Sequence, residues 1–138
     1  MLKVNNLNTY YGESHVLLDV SITVESGEVV VMLGPNGHGK STLLKTVCGL
    51  VHGASGTITY RGQNINGLPT DKIVNMGLIY IAENRELFPY MSVIDNLKMG
   101  AYSKNARSHE KENLERVLAL FPRLKERTKQ MASTLSGG

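Results

Sequence analysis

The sequence predicts an α/β protein, with a small antiparallel β part in front, a strand–helix–strand core, and helices behind. Residues 2–7 (LKVNNL) and 17–25 (LLDVSITVE) alternate apolar and polar side chains, as half-buried strands do. Residues 28–33 (EVVVML) and 77–82 (GLIYIA) are continuous apolar runs of the kind expected of strands covered on both faces. Beyond residue 91 the apolar spacing changes to that of a helix.

In order, Ser26 and Gly27 turn the chain between the second strand and EVVVML. Residues 40–50 (KSTLLKTVCGL) have helical character, and Gly49 or Gly53 can stop the helix. Residues 56–65 (GTITYRGQNI) alternate again around a tight turn at Arg61 and Gly62. Residues 69–76 (PTDKIVNM) predict a short helix with proline in its first turn. Ser92 is a candidate N-cap, with Asp95 three residues on. Leu114, Val117, Leu118 and Phe121 form one stripe of a helix that Pro122 ends.

A length of 138 residues suits one compact domain, and 41% hydrophobic residues can supply a core. No run of eighteen apolar residues is present, so no membrane-spanning helix is expected. The N-terminus lacks the basic start and apolar stretch of a secretory signal. Cys48 is the single cysteine, which excludes an intrachain disulfide and fits a reducing compartment. It falls in the predicted helix after the glycine loop, as a small core residue. The net charge of +3 is concentrated late in the chain: residues 102–130 carry eight Lys/Arg against four Asp/Glu. Such a region could touch phosphates or lipid headgroups, and a solvated helix face is the simpler reading of the excess.

The chemistry lies in residues 33–42, LGPNGHGKST. Gly34, Gly39, Lys40 and Ser41 satisfy G-x-x-x-x-G-K-[ST], between an apolar run and a helix. A polyphosphate needs many donors and little steric bulk. Glycines let the backbone curl so that successive N–H groups converge. The helix that follows adds free N-terminal amides and the positive end of its dipole. Lys40 brings a charge for the β- and γ-phosphates, Ser41 a hydroxyl for Mg²⁺, and Thr42 a further phosphate donor. His38 sits inside the loop, where its backbone amide binds and its ring is expected to point outward.

Together with residues 135–138 (LSGG), 10–30 (YYGESHVLLDVSITVESGEVV) and 81–97 (IAENRELFPYMSVIDNL), this loop resembles the ATP-binding cassette (ABC) ATPases over essentially the whole chain. Glu83, Arg85, Phe88 and Pro89 resemble the ATPase subunits of branched-chain amino-acid importers, with urea and amide importers as the alternative. The resemblance implies a P-loop NTPase core over residues 1–85 and a helical subdomain over 86–138. ATP and Mg²⁺ are the implied cofactors. Gly34, Pro35, Asn36, Gly37, His38, Gly39, Lys40, Ser41 and Thr42 would form the nucleotide loop, with Lys40 catalytic. Tyr11 would stack on adenine, with Tyr10 competing for that role, and Ser41 and Glu83 would serve the metal. Glu83 stands where most relatives have glutamine. Phe88, Pro89 and Tyr90 would receive a helix of a membrane subunit.

In this family each signature closes over the nucleotide of a second copy. Ser136, Gly137 and Gly138 are therefore expected to act in trans, in a head-to-tail dimer. Integral membrane subunits are the other implied partners, nucleic acid is not implied, and the site of action is the cytoplasmic face of the membrane. No segment supplies an apolar strand ending in paired carboxylates, the family's Walker B element. The sequence therefore reads as a partial cassette lacking the C-terminal half of the ABC fold. Weak nucleotide binding and little turnover are expected of it.

Overall fold

The computed structural model describes residues 1–84 and 86–136, with the side chains of Ala54 and Lys104 excepted. They fall into two compact units, residues 1–80 and 81–138. The sequence length alone suggested one.

In the first unit, β1 (Leu2–Tyr11) pairs antiparallel with β2 (Ser14–Val24) on one side and with β3 (Gly53–Tyr60) on the other. A two-residue β4 (Gln63–Asn64) completes a sheet of order β2-β1-β3-β4. Both strand runs of the opening segment extend further than the alternation indicated, because the Tyr10–His15 and Tyr11–Ser14 pairs carry the ladder into the hairpin. Arg61 and Gly62 both have positive φ, at 49° and 80°, which gives the β3–β4 hairpin the primed turn that matches strand twist. Asn6 and Asp19 also have positive φ and stand beside register shifts in β1 and β2.

Alternation along these strands, reset in β1 by the irregularity at Asn6, buries Val4, Leu7, Leu17, Ile58 and Tyr60. Helix α1 (Lys40–Val47) closes over them with Leu43 and Val47, and Ile65 and Ile73 complete the buried cluster. Two threonines bridge helix and sheet inside this core: Thr9 Oγ1 and Thr46 Oγ1 are 3.3 Å apart, and Thr46 Oγ1 also donates to the Thr42 carbonyl at 2.8 Å. Among the described residues no buried side-chain nitrogen or oxygen lacks a partner, as burial requires. α1 stops at Gly49 with paired backward bonds, Gly49 N to Thr46 O and Leu50 N to Lys45 O, the Schellman arrangement. Cys48 lies in the core as expected. A short α2 (Thr70–Asn75) follows Pro69.

The central strands of the predicted core do not form. Residues 28–33 and 77–82 are irregular, and Val29, Leu33 and Ile81 are each 89% exposed. The reason is physical. A run apolar on both faces is a strand only when neighbours cover its faces and edges. Among the described residues no strand pairs with either run.

The second unit is helical: α3 (Val93–Met99), α4 (Lys104–Arg107), α5 (Glu110–Leu120), α6 (Pro122–Glu126) and a 3-10 turn (Ala132–Thr134). Ser92 caps α3 as predicted, its hydroxyl accepting from Asp95 N and donating to Asp95 Oδ2. Leu114, Val117 and Leu118 are half-buried, but Phe121 is 57% exposed and departs from the predicted stripe. Its φ of −124° and ψ of 75° break the helix, as a residue before proline tends to do, and Pro122 then starts α6. Residues 89–93 and 130–133 are tied by Val93 N to Gln130 O, Ala132 N to Met91 O and Ser133 N to Pro89 O.

Candidate phosphate-binding loop

Residues 34–39 curl between the irregular apolar run and α1. Gly37 and Gly39 hold φ of 83° and 80°, which reverses the chain twice within three residues. Gly39 is buried against β2: a β-carbon there would stand 2.8 Å from Leu17 Cδ2 and 3.2 Å from the Val16 carbonyl. Strand β2 therefore fixes the base of the loop. The Gly39 carbonyl accepts from Leu43 N at 2.8 Å, which starts the helix. The amides of the first turn have no intrahelical acceptor and are available to an anion.

Lys40 folds back over the curl. Its Nζ donates to the carbonyls of Gly34 and Pro35, both at 2.7 Å. The ammonium is thus held beside the loop by the loop's own backbone. Ser41 is exposed and Thr42 half-buried on the first turn of α1. Asn36 is exposed, and its carbonyl lies 3.2 Å from His38 Nδ1. The His38 ring therefore leans on the loop's backbone and is exposed.

The two aromatic candidates at the end of β1 differ. Tyr10 stacks on His15 of β2, with centroids 4.1 Å apart and planes at 12°. Tyr11, the last residue of β1, pairs with Ser14 and is 49% exposed.

Among the described residues, no group of three or more His, Cys, Asp or Glu side chains gathers to hold a metal. A single hydroxyl at Ser41 beside a phosphate loop does fit Mg²⁺, which keeps waters and takes most ligands from phosphate. Glu83 is exposed in a turn of the second unit. Ser136 is exposed beside Arg123, Leu124, Arg127 and Leu135, around a hollow of about 250 Å³. Arg85, Gly137 and Gly138 lie outside the described residues.

Sequence reasoning missed Asn96. Its side chain accepts from Phe88 N at 2.9 Å and donates to the carbonyls of Phe88, Met91 and Ser92, at 3.0, 3.3 and 3.0 Å. It pins the segment that carries exposed Phe88, Pro89 and Tyr90. The available signal was an asparagine inside a helix, where it is a poor helix former without some other task.

A glycine curl capped by a lysine, placed between an antiparallel sheet and the helix it starts, defines the phosphate-loop class of nucleotide-binding proteins. Residues 17–138 match the ABC transporter family, and the chain belongs to it. It is 44% identical over 138 residues to the high-affinity branched-chain amino acid transport ATP-binding protein BraG of Pseudomonas aeruginosa, covering 100% of this chain and 59% of that protein. It is 38% identical over 143 residues to the glutamate/aspartate import ATP-binding protein GltL of Escherichia coli K12, covering 100% of this chain and 58% of that protein. Its structure resembles a nucleotide-free ATP-binding cassette from an ABC transporter, with a TM-score of 0.80 and 27% identity over 99% of this chain and 59% of the other. The chain thus spans somewhat under two thirds of the relatives it matches.

Proposed function

We propose that the protein is the ATP-binding subunit of an importer, and that its solute is a branched-chain amino acid. The observation that carries the nucleotide reading is Lys40, held at 2.7 Å on the carbonyls of Gly34 and Pro35 beside the left-handed Gly37 and Gly39. That arrangement keeps an ammonium beside the glycine curl, where a polyphosphate would meet it. Nucleotide occupies Gly34–Thr42, Ser41 takes the Mg²⁺, and Tyr11 stacks on the base. Glu83 is carried as a metal ligand on sequence resemblance alone. The solute assignment is supported by the 44% identity to BraG against 38% to GltL.

ATP hydrolysis is the activity proposed for the whole protein, with positioning and charge stabilisation as its means. Ser136, with Gly137 and Gly138, closes over the nucleotide of a second copy, and membrane transport subunits are the further partners. The protein works at the cytoplasmic face of the membrane. Among the described residues no helix is long and apolar enough to cross it, and no strand ends in paired carboxylates. Little turnover is expected of the 138-residue chain.

The test is equilibrium binding of MgATP and MgADP. The chain binds both, and Lys40→Ala weakens binding by tenfold or more. Equal affinity in the variant would remove the nucleotide reading. Hydrolysis by the chain that vanishes in Lys40→Ala would contradict the low-turnover expectation.

A further inference from the structure

We propose that the buried Thr9–Thr46 pair positions the phosphate site: through these two hydroxyls β1 sets the rotation and tilt of the first turn of α1, where Ser41 and Thr42 stand. The proposal rests on the nucleotide reading above.

Among the described residues, Thr9 and Thr46 are the buried polar side chains, at 0% and 4% exposure. The rest of that core is hydrophobic. A hydroxyl in such a place costs free energy unless it is bonded, and a valine fills nearly the same shape without that cost. Packing alone therefore does not call for two threonines.

The bonds have a direction. Each hydroxyl carries one hydrogen. Thr46 Oγ1 gives its own to the Thr42 carbonyl at 2.8 Å. In the 3.3 Å contact with Thr9 Oγ1 it therefore accepts, and Thr9 donates. Strand β1 thus reaches a peptide of the helix's first turn through Thr46. That turn starts at Lys40, whose Nζ lies on Gly34 and Pro35, and carries exposed Ser41 and half-buried Thr42. A threonine that bonds four residues back also tilts the carbonyl it meets and bends the helix locally. Gly53 of β3 leaves room for Thr46: a β-carbon there would stand 3.4 Å from Thr46 Cγ2.

Helix α1 is therefore held on the sheet at both ends. Gly39 rests on Val16 and Leu17 of β2 at one end, and Thr46 is tied to Thr9 near the other. Apolar contact fixes distance but is not directional. A hydrogen bond adds an angular preference, and so opposes rotation of the helix about its axis. That rotation decides where the Ser41 hydroxyl and the free amides of the first turn point.

The experiment compares two paired variants of the full chain. Thr9→Val with Thr46→Val keeps the shape and removes the hydroxyls. Thr9→Ser with Thr46→Ser keeps the hydroxyls and removes the methyls. Melting temperature is measured for each, together with calorimetric affinity for MgADP and for inorganic pyrophosphate. The valine pair is expected to melt at or above wild type, since both partners of the bond are replaced together, and to bind both ligands about fivefold more weakly or worse. The serine pair is expected to melt lower, because two methyl-sized gaps open in the core, and to bind both ligands with wild-type affinity. Wild-type affinity in the valine pair overturns this proposal and leaves the nucleotide reading standing. So does an affinity that merely follows the melting temperature across the three proteins, since the threonines then serve the core alone. Failure of wild type to bind MgADP overturns both.

Discussion

Gly39 is the most constrained residue of the loop. A side chain there meets a left-handed φ of 80° and Leu17 Cδ2 at 2.8 Å. The backbone term alone costs about 1–2 kcal/mol. Gly39→Ala is expected to lower stability by at least that amount in urea unfolding and to weaken MgADP binding more than tenfold. Cys48 gives a pH dependence. Burial pushes its thiol above the ordinary 9.0. The folded state therefore favours the protonated thiol. That contribution is complete below the unfolded thiol's pKa and is lost as pH rises through the folded one. Unfolding measured between pH 8 and 10.5 should show a loss of stability that Cys48→Ala lacks. Thiol reagents should label native Cys48 far more slowly than the unfolded chain.

At the scale of elements, Asn96 binds α3 to the turn before it through both ends of its amide. Asn96→Ala leaves the Phe88 amide without its side-chain acceptor and should cost about 1–2 kcal/mol. The check is faster hydrogen exchange at Phe88, with exchange in β1 unchanged. Ser92→Ala removes the α3 cap and should cost about 1 kcal/mol by the same measurement at Asn96 and Leu97. The elements legible in the sequence were those whose cause is local. The Arg61–Gly62 turn, the Ser92 cap and the stop at Gly49 each depend on a few adjacent residues. EVVVML and GLIYIA were misjudged because a strand apolar on both faces depends on partners elsewhere in the chain, which a local apolar pattern does not reveal. Asn96 escaped notice for a related reason: its acceptors lie up to eight residues away across a turn.

For the molecule as a whole, the unpaired apolar run is the main liability. Val29, Val31 and Leu33 are 89%, 73% and 89% exposed. A surface of that kind binds apolar dyes and promotes association. Val29→Lys combined with Val31→Lys should reduce dye fluorescence and concentration-dependent scattering while leaving the melting temperature within a few degrees. No change in scattering would show that these side chains are covered in solution. The phosphate loop was legible at this scale because glycine spacing, lysine and hydroxyl declare their task without tertiary context. The choice between Tyr10 and Tyr11 was not. Tyr10 stacks on His15, a partner that lies across the hairpin and that a local pattern does not reveal.

The paired backbone of residues 89–93 and 130–133 has a mechanical consequence. Gln130 also clasps Thr134 from the far side, with its Nε2 2.8 Å from the hydroxyl. A displacement of residues 89–93 is therefore passed to residues 130–134 by these bonds and by the buried Val93 and Ala132 that make two of them. The amides of Val93 and Ala132 should lose protection in one opening event and regain it together.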